Sequence, residues 1–202
     1  MRESPLVNVS RRFSHAIAEG DGISVVAAVE DPDAARAAEA QRAEALVVNG
    51  DPAGLREATR LPILWRASAA VDRAAEVADA VTLTLPDDED EDHDPAQRWH
   101  EDALAAGLDC AVEVRSEEEL ERALEVLDPE IFLLVPPQDD EAERLEAVLE
   151  LLAAVPAGKL AIADLDVTTE HEVHELERAG VDAVIVHAAD VSPLAGEAPP
   201  EV

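Results

Sequence analysis

Short apolar runs bounded by glycine, proline or acids alternate along this chain with segments whose apolar residues recur at helical spacing. The runs predict strands at Ile23–Val29, Ala45–Asn49, Pro62–Arg66, Ala80–Leu85, Cys110–Arg115, Ile131–Val135, Leu160–Asp164 and Ala183–His187. The intervening segments predict helices near Asp33–Gln41, Pro52–Thr59, Ala69–Ala78, Ala96–Ala106, Glu117–Leu127, Glu141–Ala154 and Glu170–Ala179. Ser116 and Thr169 stand as N-caps ahead of acid-rich first turns, and Gly107 and Gly180 fall where helix C-termini take a left-handed residue. A weak repeat supports the count: Glu44-Ala45, Asp79-Ala80 and Asp182-Ala183 each put an acid and an alanine at the entry to an even-numbered strand.

Eight βα units in 202 residues predict a small single-domain (β/α)8 barrel, the TIM-barrel architecture. The competing arrangement is an open doubly wound sheet. No Gly-x-Gly-x-x-Gly turn follows the first strand, where Val29-Glu30-Asp31-Pro32-Asp33 stands instead, and the barrel is favoured. The barrel is expected over residues 1–190, with an acidic low-complexity loop at 87–94 and a disordered tail over 191–202. Beyond His187 the short stretch with Pro193, Pro199 and Pro200 leaves no room for an eighth helix of normal length. The flank beside the eighth and first strands is therefore expected to be covered by Leu6–Glu19, or by a second copy or a partner protein.

Charge changes the picture. Forty-seven acids against 15 bases give a formal net charge of −32, and Lys159 is the only lysine. Such a surface repels phosphate backbones and anionic lipid, so neither nucleic acid nor membrane is an expected partner. Self-repulsion of this size is screened over about 10 Å at 0.1 M salt and about 3 Å at 1 M, which predicts a halophilic protein that gains stability with salt. A GC-rich genome favouring Ala, Asp, Glu and Arg codons is the alternative source of this composition. The absence of a signal-like apolar stretch or a spanning run predicts a cytoplasmic protein. One cysteine, Cys110, allows no internal disulfide, and the sequence calls for neither cofactor nor metal.

In a barrel, functional groups gather at the C-terminal ends of the strands. Those positions hold Glu30, Asn49, Arg66, Glu113 with Arg115, Asp164 with Asp166, and His187. Glu113 and Arg66 are the candidate catalytic pair, and Glu30, Asn49, Asp164 and His187 are candidate binding residues. Val112-Glu113-Val114 turns a carboxylate away from two apolar neighbours, into the barrel mouth, where desolvation would raise its pKa for general acid–base work. An ion pair with Arg66 is an equally weighted role for it. Arg66 stabilises anionic charge but shuttles no protons. The loops after the seventh and eighth strands, Ala163-Asp164-Leu165-Asp166 and Val186-His187-Ala188-Ala189-Asp190, lack glycine and carry acids, the opposite of a phosphate cradle.

From about Phe13 to Asp190 the chain resembles the indole-3-glycerol phosphate synthase family of tryptophan biosynthesis, in shortened form. The resemblance is carried by Phe13-Ser14-His15-Ala16-Ile17 with Gly22–Ala27, by Leu61–Leu64, by Asp79-Ala80-Val81, by Gly107–Leu124 and by Ala179–Val186. It implies a barrel fold and, if the chain is active, a carbon–carbon lyase. Position by position, the family's first-strand Glu-x-Lys falls on Ala28 and Glu30, and its third-strand lysine acid on Arg66. The fifth-strand glutamate is kept as Glu113. The paired asparagines after the sixth strand give way near Val135-Pro136-Pro137. The seventh-strand Ser-Glu-Ser-Gly falls on Ala163, Asp164, Leu165 and Asp166, and the eighth-strand Gly-Glu on His187 and Ala188. These departures predict a pseudoenzyme, a synthase-like barrel that has lost ring closure and serves as a binding or regulatory subunit. The alternatives are a diverged enzyme acting through Glu113 on a small non-phosphorylated ligand, and a true synthase with an atypical site.

Overall fold

A computed structural model of the chain describes residues 12–18, 22–66, 70–86, 94–137, 141–167 and 169–194. Over these residues α1 (Arg12–Ala18) precedes β1 (Ser24–Ala28), α2 (Pro32–Ala40), β2 (Ala45–Val48), α3 (Leu55–Ala58) and β3 (Ile63–Trp65). There follow α4 (Val71–Val77), β4 (Ala80–Leu83), α5 (Asp94–Ala105), β5 (Asp109–Val114), α6 (Glu117–Val126) and β6 (Ile131–Leu134). The order ends with α7 (Glu141–Ala154), β7 (Leu160–Asp164), α8 (Glu170–Ala179) and β8 (Ala183–Val186). All eight strands pair in parallel in chain order, and β8 returns to β1 with Val184 opposite Val25, closing the barrel. The doubly wound alternative is set aside. No helix among the described residues is long and apolar enough to cross a membrane.

Local chemistry sets the helix ends. Asp31 caps α2 through bonds from the Asp33 and Ala34 amides with Pro32 at the first helical position, and Thr169 with Glu172 forms a reciprocal capping box on α8. The helix expected over Pro52–Thr59 is one turn long. Asp51 accepts the Ala53 amide at 3.1 Å and Gly54 takes φ 78°, so a turn occupies the first half of that segment.

Strand alternation divides the core in two. Val26, Val47, Leu64, Ala111, Leu133, Ile162 and Ile185 fill the barrel interior, whereas Val25, Leu46, Val112, Phe132, Ala163 and Val184 face the helices. Phe13 and Ile17 belong to the interior group and are 0% and 2% exposed. Helix α1 therefore plugs the N-terminal floor of the barrel, tied down where the Ser14 amide donates to Asp109 Oδ2 at 2.8 Å. This corrects the expectation that Leu6–Glu19 folds over the β8–β1 flank: in its described part, two apolar side chains one helical turn apart find more burial inside the barrel mouth's opposite end than on an outer face. After β8 the chain runs to the end of α2, where the Val191 amide donates to Gln41 Oε1 at 2.9 Å, and Val191 and Leu194 are buried in the outer layer. No eighth outer helix follows β8 within the described residues. Of the acidic loop expected at 87–94, Asp94 opens α5 and 87–93 lie outside the described residues; of the tail expected to be disordered over 191–202, residues 191–194 are ordered against the outer layer and 195–202 lie outside them.

The acid–alanine repeat has a structural role. Glu44 accepts the Val25 amide at 2.8 Å, Asp79 the Ile63 amide at 2.9 Å and Asp182 the Ala161 amide at 2.7 Å. Each carboxylate stands just before an even-numbered strand and binds an amide near the start of the odd-numbered strand that precedes it.

Candidate functional site

Extending the inward series of each strand by two residues reaches the open C-terminal rim. Ala45 and Val47 lead to Asn49, Leu64 to Arg66, Ala80 to Thr82 and Thr84, Ala111 to Glu113, Ile162 to Asp164, and Ile185 to His187. Four of the six sequence-predicted site residues meet there in one row. Arg66 Nη2 donates to Glu113 Oε2 at 3.0 Å and Arg66 Nη1 to Asp164 Oδ2 at 2.5 Å. Arg115 Nη2 holds the other Glu113 oxygen at 3.0 Å, and His187 Nε2 lies 2.7 Å from Asp164 Oδ1. The row Arg115–Glu113–Arg66–Asp164 alternates in sign, and His187 extends the alternation when its imidazole is protonated. Asn49 and Glu30 are both exposed; Asn49 lines the adjoining cavity, whereas Glu30 joins no ion pair among the described residues. Asp166 pairs at the rim with Arg144 at 3.4 Å.

Burial and pairing pull against each other in this row. Burial acts to lower the Arg66 pKa, but Asp164 and then Glu113 outweigh it and the guanidinium is held above its ordinary value. Burial also acts to raise Asp164, but the hydrogen bond from His187 and the attraction of Arg66 hold its carboxyl below the usual value. His187 is raised above 6.5, first by its hydrogen bond to Asp164. For Glu113 the geometry selects the ion-pair role, since each carboxylate oxygen accepts from an arginine. Cys110, at the far end of β5, is buried with its thiol pushed up to about 12 by desolvation, which disfavours the reactive thiolate.

Beside the row a cavity of about 580 Å³ is lined by Asn49, Arg66, Thr82, Thr84, Trp99 and Glu113. The two threonines and Trp99 were not singled out from the sequence. The alternation of β4 from Ala80 was the available signal for Thr82 and Thr84; Trp99, in the polar-looking stretch Gln97–Asp102, gave none. Among the described residues no group of three or more His, Cys, Asp or Glu side chains is placed to hold a metal ion.

No family model matches the chain. The indole-3-glycerol phosphate synthase of Polaromonas naphthalenivorans (strain CJ2) is 37% identical over 98 residues, which is 48% of this chain and 37% of that protein. The synthase of Variovorax paradoxus (strain S110) is 36% identical over 98 residues with the same shares, and that of Geobacillus sp. (strain WCH70) is 30% identical over 89 residues, 43% of this chain and 34% of its own. The chain is similar to indole-3-glycerol phosphate synthases. It spans about a third of the length of these synthases. Among solved structures, a protein of Burkholderia cenocepacia J2315 provisionally assigned as a phosphonomutase matches 88% of this chain and 92% of its own, with a TM-score of 0.61 and 16% identity. That likeness is one of fold.

Proposed function

We propose that this chain is a synthase-like barrel that binds a ligand at its mouth and does not carry out the synthase ring closure. One observation carries the reading: Arg66, which the resemblance aligns with the synthase's lysine acid, is locked between Glu113 and Asp164. A guanidinium stays protonated throughout the physiological range and cannot give up a proton as an acid must. Each oxygen of Glu113 accepts from an arginine, and two guanidinium partners favour its charged form over the protonated one that a base must reach. Asp164 and Asp166 stand where a phosphate would need donors. A reactive pose held by an anchored phosphate can be worth about 7–11 kcal/mol, so losing the anchor removes much of what makes ring closure fast. The test is growth of a tryptophan auxotroph expressing the chain in a salt-tolerant host, together with turnover of the synthase substrate by purified protein in molar KCl. No growth and no indole-3-glycerol phosphate are expected; turnover would overturn the reading.

His187 supports a second reading. Its imidazole is oriented by Asp164, whose hydrogen bond holds its pKa above the ordinary 6.5. A diverged enzyme would use it, rather than Glu113, as the acid–base group.

A further inference from the structure

The geometry points to an uncharged, hydroxyl-rich ring, a sugar or cyclic polyol, as the ligand of the mouth cavity. This rests on the mouth being a binding site, as argued above, and three observations lead to the ligand class. First, among the described residues the two charged groups of the cavity wall, Arg66 and Glu113, are paired with each other 3.0 Å apart and present no net charge as a pair. A chain of formal charge −32 adds long-range repulsion against an anion, and a cation at Glu113 would meet the like charges of Arg66 and Arg115 already paired with it. Second, the uncharged polar groups are the ones left available. The side chains of Asn49, Thr82 and Thr84 line the cavity and make no hydrogen bond among the described residues. An amide and two hydroxyls each donate and accept, and hydroxyl groups on a ligand match both capacities at once. Third, Trp99 and Leu83 supply an apolar wall to the same space. A sugar ring has an apolar C–H face and a hydroxyl edge, which suits an aromatic surface facing a polar one. At about 580 Å³ the cavity lies within the range of small-molecule sites, about 300–1,000 Å³, and has room for one ring with its water or for two linked rings.

Saturation-transfer NMR on the full chain in molar KCl tests this, with D-ribose, D-glucose and myo-inositol as neutral probes and D-ribose 5-phosphate as the anionic one. At least one neutral probe is expected to give a saturable signal. The double substitution Asn49→Ala/Thr82→Val should weaken it roughly tenfold or more, since two hydrogen bonds are lost. Thr84→Val, at an exposed position, should weaken it several-fold and serves if the double variant does not fold. No saturable neutral probe, unchanged binding in the folded variants, or D-ribose 5-phosphate binding tenfold better than D-ribose would each overturn the inference. Synthase turnover is measured on the same preparation. Silence from the sugars without turnover removes the ligand class alone, whereas turnover removes the reading on which it rests.

Discussion

Replacing Arg66 with methionine removes the one cation shared by two nearly buried carboxylates. Side-chain exposure is 16% at Arg66, 13% at Glu113 and 11% at Asp164, so water is poorly placed to take its part. Deleting one partner of a buried ion pair costs about 3–5 kcal/mol, because the other charge is left uncompensated. Here Arg115 still holds Glu113 at 3.0 Å and His187 still holds Asp164 at 2.7 Å, which puts the expected loss at the lower end, about 3 kcal/mol. Urea denaturation in molar KCl, followed by tryptophan fluorescence, measures it. Arg66→Lys keeps the charge but not the two-pronged geometry, and should lose about 1 kcal/mol. Neutralising the whole cluster with Arg66→Met, Glu113→Gln and Asp164→Asn together should recover most of the loss, as replacing a complete buried ion pair often does. The penalty of the single substitution should also shrink as pH falls toward the carboxylate range, where protonation removes the stranded charges. A loss below about 1 kcal/mol at pH 7, or one independent of pH, would refute the account of Arg66 as the keystone of the row.

The other predictions are briefer. His187 should titrate above 6.5 by NMR, and Asp164→Asn should bring it down; because the folded value is raised, the stability it contributes is present below about pH 6.5 and fades as pH rises through the folded value, so His187→Gln should cost more at pH 6 than at pH 9. The melting temperature should climb as KCl is raised from 0.1 M to molar concentrations, and a flat response would trace the acidity to codon usage instead. Phe13→Ala should cost about 3–5 kcal/mol by empty volume in the barrel floor, against about 0.5–1.5 kcal/mol for Ile17→Val, both read by urea denaturation. Cys110 should resist a thiol reagent in the folded protein and react only on unfolding.

Strand periodicity carried most of the architecture. Parallel strands buried on both faces read as continuous apolar runs, and Ile131–Leu134 and Ala183–Val186 stand where such runs place them. The sequence pattern predicts no helix at α1, because its two anchoring residues, Phe13 and Ile17, are too few to set a period, and its place under the barrel depends on a space that exists only once the strands close. Arg66, Glu113, Asp164 and His187 could be named because alternation and strand ends locate them one strand at a time. Which acid Arg66 would pair with could not be read, since Glu30, Glu113 and Asp164 all sit at strand ends and only the stagger of the closed sheet brings the last two within reach. Trp99 reaches the cavity from a helix whose neighbours in sequence are charged, so local pattern concealed it.

The carboxylates of Glu44, Asp79 and Asp182 fasten neighbouring strands to one another at the end opposite the cavity. A one-residue slip of any of these strand pairs would break its clasp, so alignment of the staves is decided on that side. Those three pairs have a fastening that owes nothing to the side chains at the rim. Residues there can be exchanged, an arginine for a lysine or an aspartate for a glycine, while the container keeps its shape.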